Sequence, residues 1–265
     1  MTLNTISSVA TNVHAPVKLF QFPRLFAIPN LSPFCCKLET WLRIAQIPYE
    51  VVETRDPRTA PRRKLPYIED DGVRIPDSGV VIDHLSRTRS IDPDAHLSPA
   101  QRATSLLVRR ALEEHYAFVL AYTHLVSDEG VKHTGARFDA LPALIRPLVA
   151  RAVRKNVMRL LWHQGLLRYS HDEIVAHAIE DWRAILSFMS DGPFFFGDHP
   201  AGIDAVVFGT LAPTVLTPIE TPIRAFLRSQ PKAVAYAERM RDRFFPELAP
   251  PTASAERSTS ARASA

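Results

Sequence analysis

Apolar and polar positions alternate along the chain in two rhythms. Residues 17–23 form a short apolar and aromatic block, which predicts a strand. Over residues 34–46 the period lengthens. Leu38, Trp41, Leu42 and Ala45 fall at i, i+3, i+4 and i+7, so they share one face of a helix. Ser32 suits the N-cap of that helix and Pro33 its first position. Pro48 ends it, and residues 49–54 predict a second strand. Residues 56–64 are polar and broken by proline, enough for a turn or one short helix. Short strands over 67–70 and 73–75 flank Asp71-Gly72, a hairpin signal. Asp77 or Ser78 then caps a helix carrying Val80, Val81, Ile82 and Leu85.

From about Ser98 no strand rhythm returns. Residues 99–125 predict one long helix with Leu106, Leu107, Ala111, Leu112 and Phe118 on its apolar side. Ser170 and Glu173 form a capping box that opens a helix reaching Met189. Residues 204–216 and 232–245 complete an all-helical second half. The order β-α-β-(short element)-β-β-α in the first half is that of an α/β thioredoxin-like domain. The expected layout is a flexible N-terminus over 1–16, a thioredoxin-like domain over 17–90, a linker over 91–98, an all-helical C-terminal domain over 99–248, and a disordered tail over 249–265. That tail is Ala, Ser, Thr, Pro and Arg, which bury too little apolar surface to order themselves.

Composition narrows the picture by exclusion. The chain has 265 residues, 46% of them hydrophobic, and a formal charge of +4, too mild to name an acidic partner. No window holds the ~18 uninterrupted apolar residues of a membrane span. The opening residues do not read as a signal peptide, so a cytoplasmic address is expected. The only cysteines, Cys35 and Cys36, are neighbours, and their Cα atoms lie closer than a disulfide normally spans. The ten histidines show no compact metal-ligand spacing, so no metal site is expected. Neither a phosphate-cradling loop nor a nucleic-acid module is present. Arg146, Arg151, Arg154, Lys155 and Arg159 make an acid-free stretch interleaved with apolar residues. It reads either as a solvated face over a buried one or as a contact for an anionic membrane or a partner.

Three local features carry chemistry. Ser32-Pro33-Phe34-Cys35 opens the first helix, where amide groups and the positive dipole end stabilise an anion. A thiolate is such an anion, and a serine hydroxyl can donate a hydrogen bond to it. Lys64-Leu65-Pro66-Tyr67 precedes a strand; with a cis bond, Leu65 would offer its backbone to an extended peptide. Asp77-Ser78 heads the next helix, suiting a ligand ammonium and carboxylate. Taken singly, Ser32 and Asp77 also read as ordinary helix caps.

In this order the three resemble the N-terminal domain of glutathione transferases. The resemblance implies that Ser32 is catalytic, that Leu65 and Pro66 grip the cysteinyl part of glutathione, and that Asp77 and Ser78 hold its γ-glutamyl end. A further resemblance runs from about Val17 to Leu248. Ser32-Pro33-Phe34-Cys35-Cys36-Lys37-Leu38-Glu39-Thr40, Glu113-Glu114-His115-Tyr116, Leu120-Ala121-Tyr122, His163-Gln164-Gly165 with Arg168, and Asp204-Ala205-Val206-Val207-Phe208-Gly209 are similar to stretches of the failed axon connections family. That group shares its fold with metaxins and glutathione transferases.

The chain departs from the pattern at three points. Ser32 stands where glutaredoxins carry the attacking Cys, residues 56–64 are short for the segment that closes over glutathione, and Ala201 lacks the hydroxyl that commonly caps the central helix. A lost cap of that kind costs about 0.5–2 kcal/mol. The expected function is conjugation of glutathione, as co-substrate, to a small apolar electrophile. The second-substrate pocket would involve Phe34, His115, Tyr116 and Tyr122, and a homodimer is implied by the resemblance. The alternative is a non-catalytic adaptor of the same fold, touching a membrane or a partner through Arg151, Arg154, Lys155 and Arg159. Redox chemistry at Cys35 or Cys36 is a third reading.

Overall fold

The computed structural model describes residues 15–249. The expectations of a flexible N-terminus and a disordered tail fall, but for their inner edges, outside the described residues. Strand β1 (Val17–Gln21) alternates strictly: Val17, Leu19 and Gln21 are fully buried and Lys18 is exposed. β1 pairs in parallel with β2 (Tyr49–Glu53) and antiparallel with β3 (Tyr67–Asp70), which pairs antiparallel with β4 (Val73–Pro76). The sheet order is β2-β1-β3-β4. Asp71 and Gly72 join β3 to β4 with φ of 49° and 78°, the two positive values a tight hairpin turn needs.

Helices α1 (Pro33–Ile44) and α2 (Ser78–Arg89) cover one face of the sheet. Leu38, Trp41 and Leu42 of α1 meet Val17, Leu19, Ile68, Ile75, Val81 and Leu85 there. On the other face Phe20 stacks on Tyr67 with centroids 4.3 Å apart. The proline-broken stretch that follows β2 makes a single 3₁₀ turn (Pro57–Thr59) capped by Asp56.

The long helix expected over 99–125 is three pieces in line: α3 (Pro99–Arg110), a π-helical turn (Ala111–Tyr116) and α4 (Ala117–Leu125). Its apolar side matches the expectation at Leu112 and Phe118 and differs from it in the first half. Leu106 and Leu107 are 46% and 70% exposed, while Val108, Leu112, Tyr116 and Val119 face the core. The π turn shifts the helix phase midway, so one α-helical wheel cannot describe both ends. Short helices α5 (Asp128–Lys132) and α6 (Thr134–Arg137) follow, then α7 (Arg146–Gln164) and α8 (His171–Phe188).

Helix α9 (Gly202–Val215) runs through the middle of the helical half, and all of residues 203–215 are buried. A helix apolar all round belongs in a core. α10 (Pro222–Arg228) and α11 (Pro231–Phe244) pack beside it. Ala201 makes no side-chain cap, but the lost hydroxyl is replaced. The Gly202 amide donates to Asp94 Oδ1 at 2.6 Å, a carboxylate from the stretch between the sheet and the helices. Asp204 is buried and accepts from the Ala201 and Phe195 amides and from the Tyr236 hydroxyl at 2.7–2.9 Å.

α1 and α9 hold the two halves together at close range. Gly209 makes this possible: a Cβ there would sit 2.9 Å from the Pro33 carbonyl oxygen and 3.0 Å from the Lys37 amide. Beside this contact Lys37, 3% exposed, forms an ion pair with Glu113 of the π turn. At the far end of α1, buried Glu39 accepts from Gln21, Arg24, Arg43 and Tyr49. Arg24 and Arg43 also bind Glu247, and Arg43 stacks on the buried ring of Phe245.

Candidate functional site

The sheet register assembles the site. Tyr67, the first residue of β3, pairs with Phe20 near the end of β1 and with Pro76 at the end of β4. Pro66 before β3, Asp77 after β4 and the loop from β1 to Ser32 therefore leave the sheet at the same edge.

Ser32 is the N-cap of α1. Its Oγ accepts from the Cys35 amide at 3.5 Å, and its own amide donates to Asn30 Oδ1 at 3.0 Å. Asn30 is fully buried and ties the loop back by donating to the Phe22 carbonyl. Asn30 thus positions Ser32, a role with no periodic or motif signal in the sequence. The Ser32 hydroxyl accepts from the helix start and also lies within hydrogen-bond reach of the Cys35 sulfur. The Leu65–Pro66 bond is cis. Leu65 packs with Cys35, Ala60 and Tyr67, and no backbone hydrogen bond among the described residues uses its N–H or C=O.

Asp77 caps α2 with a φ of 76°. Its Oδ1 accepts from the Gly79 and Val80 amides, leaving Oδ2 toward solvent. Ser78 is buried, with no hydrogen-bond partner for its hydroxyl among the described residues. Arg62, Arg63 and Lys64 are exposed just ahead of Leu65.

Phe34 reaches the seam between the halves. It lines a cavity of about 10 Å³ with Pro33, Lys37, Leu112, Glu113, Ala117, Val206 and Thr210. The other residues expected in the second-substrate pocket lie elsewhere. Tyr116 points into the helical core, its hydroxyl 2.9 Å from Thr214 and its ring against Trp182. His115 turns to α8, where Asp181 lies 2.6 Å from Nδ1 and raises its pKa against the opposing effect of burial. The Tyr122 hydroxyl meets His171 at 2.9 Å. His115 and Tyr122 thus both turn to α8, seven residues apart on one face, while Tyr116 points into the core.

Cys35 and Cys36 are free and fully buried. Burial pushes the Cys35 thiol up to about 12, against smaller opposing effects of Ser32 and the Phe22 backbone, and pushes Cys36 higher still. Burial thus disfavours a thiolate at either position near neutral pH. Among the described residues no three His, Cys, Asp or Glu side chains are grouped to hold a metal ion, and no helix is long and apolar enough to cross a membrane.

Two family models match this arrangement: the glutathione S-transferase N-terminal domain over residues 33–130 and the glutathione S-transferase C-terminal domain over residues 178–240. The chain belongs to the glutathione S-transferase-like family. Among relatives of this glutathione S-transferase-like chain is Failed axon connections of Drosophila melanogaster, 29% identical over 87% of the chain. The match spans only 58% of that longer protein. Isoprene-epoxide–glutathione S-transferase of Rhodococcus sp. strain AD45 is 28% identical over 86% of the chain and 99% of its own length. Metaxin-1 of Mus musculus is 26% identical over 88% and 76%. A glutathione S-transferase of Ceriporiopsis subvermispora, solved with glutathione, shares the fold with a TM-score of 0.57 at 14% identity, covering 86% of this chain and 98% of that one.

Proposed function

We propose that this protein binds glutathione and transfers its thiolate to a small electrophile. The observation that carries the reading is the convergence at one sheet edge of the Ser32 hydroxyl, the unpaired Leu65 backbone and the Asp77-Ser78 helix start. Glutathione would lie extended along Leu65, with its ammonium at Asp77 Oδ2 and its γ-glutamyl carboxylate at the Ser78 hydroxyl and the α2 amides. Arg62, Arg63 and Lys64 supply positive charge for its glycyl carboxylate, in part replacing the shortened closing segment. The thiolate then sits at the N-terminus of α1, where the helix dipole and the Ser32 proton lower the thiol pKa. The free, buried cysteines accord with a reducing, cytoplasmic setting. The Rhodococcus relative, named for glutathione transfer to an epoxide, supports the reading in kind.

The test is calorimetry with glutathione, followed by turnover against a panel of electrophiles. Ser32→Ala should keep glutathione binding and lower kcat about 10- to 100-fold, the worth of one charge-assisted hydrogen bond. No heat at millimolar glutathione would sink the function, and unchanged turnover would sink the role of Ser32 alone.

A second reading, as an adaptor, is favoured by the surface of α7. Leu148, Arg151, Lys155, Met158, Arg159 and Trp162 recur at helical spacing on its exposed side, with Leu148 and Trp162 69% and 53% exposed. Residues 140–170 hold no acid. An amphipathic cationic helix of this kind suits an anionic bilayer surface. Co-sedimentation with phosphatidylserine vesicles should be lost on changing Arg151, Lys155 and Arg159 to Glu. Equal binding to neutral vesicles, or none to either, would remove this reading.

A further inference from the structure

Arg137, the last residue of α6, holds a positive charge that no carboxylate among the described residues answers. Its Nε and Nη2 are sealed from solvent without a hydrogen-bond partner, and no described carboxylate pairs with it. Burial alone pulls its pKa down to about 10, with no acid opposing the shift. Arg224, by contrast, also has a sealed nitrogen but forms an ion pair with Glu220.

The surroundings of Arg137 are built for an anion. His124 is buried beside it, bonded to the Pro213 backbone, and feels the positive charge of both Arg137 and His133. The His133 ring lies edge-on to Phe26, with centroids 6.1 Å apart. Phe26 belongs to the loop between β1 and Ser32, so this cluster joins the helical half to the loop that delivers the catalytic candidate.

The helix walls connect the cluster to the seam under Phe34. On α4, Ala117 lines the seam, and His124 lies seven residues on, about 10 Å along the same face. On α9, Val206 and Thr210 line it, and Pro213 follows three residues later on the same side. The two helices that line the seam, α4 and α9, are therefore the ones that carry His124 and Pro213 beside Arg137.

Sealing two guanidinium nitrogens without a partner is unfavourable, and an anion at Arg137 would relieve it. We infer that Arg137, flanked by His124 and His133, is the anion-binding end of the second-substrate site, and that the electrophile carries a carboxylate about one small-molecule length from its reacting carbon. The inference rests on the proposed glutathione transfer and narrows the apolar electrophile expected from sequence to an acidic one. In the step itself the glutathione sulfur forms a C–S bond as the leaving group departs with its bonding pair; the thiol proton has already gone to solvent.

A matched pair of probes tests it: 4-fluoro-3-nitrobenzoate and its uncharged methyl ester, each of which loses fluoride to a thiolate. Calorimetry without glutathione should show the benzoate binding at least about tenfold tighter than the ester, the scale of one charge-assisted contact. Arg137→Gln should abolish that preference, Arg137→Lys should retain part of it, and glutathione binding should be unchanged in both. With no native anion to lose, Arg137→Gln should melt no lower than the parent. A lower melting temperature with the benzoate preference intact, or equal weakening of benzoate and ester, would overturn the assignment. Because the probes are read without glutathione, failure of the transferase reading shows separately, as benzoate binding with no glutathione heat.

Discussion

Single residues in this protein carry opposite responses to pH. His124 is buried, and its pKa is pushed down to about 3, first by burial and then by the Arg137 charge. In the unfolded chain a histidine titrates near 6.5. Below that value the unfolded state takes up a proton that folded His124 refuses, so its contribution to stability falls as pH drops from about 6.5 toward 3. His115 works the other way. Its folded pKa is raised, first by the bond to Asp181, so its contribution is fully present below about 6.5 and is lost as pH rises through the raised value. His115 is half-exposed and solvent screens it, so the buried group dominates the acid side. Urea midpoints at pH 7 and pH 4.5 should drop less between the two for His124→Gln than for the parent. Identical drops would assign the acid sensitivity to other groups.

At the scale of elements, legibility tracks the agreement of local signals. α1 was readable because N-cap, proline and apolar period all coincide, and its observed start at Pro33 matches them. The capping box of Ser170 and Glu173 was equally plain. The helix through residues 99–125 was readable as a helix but not in its facing, since the π turn leaves no compositional mark. The short helices α5, α6 and α10 lack the length over which a period can be counted. The contact of α1 with α9 depends on one missing methyl group. Gly209→Ala would press a Cβ against backbone atoms of Pro33 and Lys37, which cannot rotate aside. We expect a loss of about 1–3 kcal/mol, the usual cost of overpacking, read by urea unfolding. Glutathione binding should weaken with it, because the displaced segment begins at Ser32. An unchanged midpoint would mean that α1 and α9 slide apart freely.

For the whole molecule, the fold class and the residues of the proposed glutathione side are visible as linear motifs, because each sits at the end of a strand or the start of a helix. What completes the site was not visible, because it depends on long-range pairing. Asn30 acts through a loop, and Tyr116 and His115 turn toward partners in α8 and α9. Arg137 stands out among the described arginines by two sealed nitrogens left without a partner, and sequence alone cannot show that. Asp94 illustrates the same limit and has an evolutionary consequence. The central helical core is capped by a carboxylate from the segment leaving the sheet, 108 residues earlier in the chain. The two halves are therefore not freely exchangeable parts. Recombination that paired this helical half with a relative's sheet and connector would inherit an uncapped α9, unless Asp94 travelled with it or position 201 regained a hydroxyl. Shuffling within the family is thus constrained by a residue that belongs to neither layer.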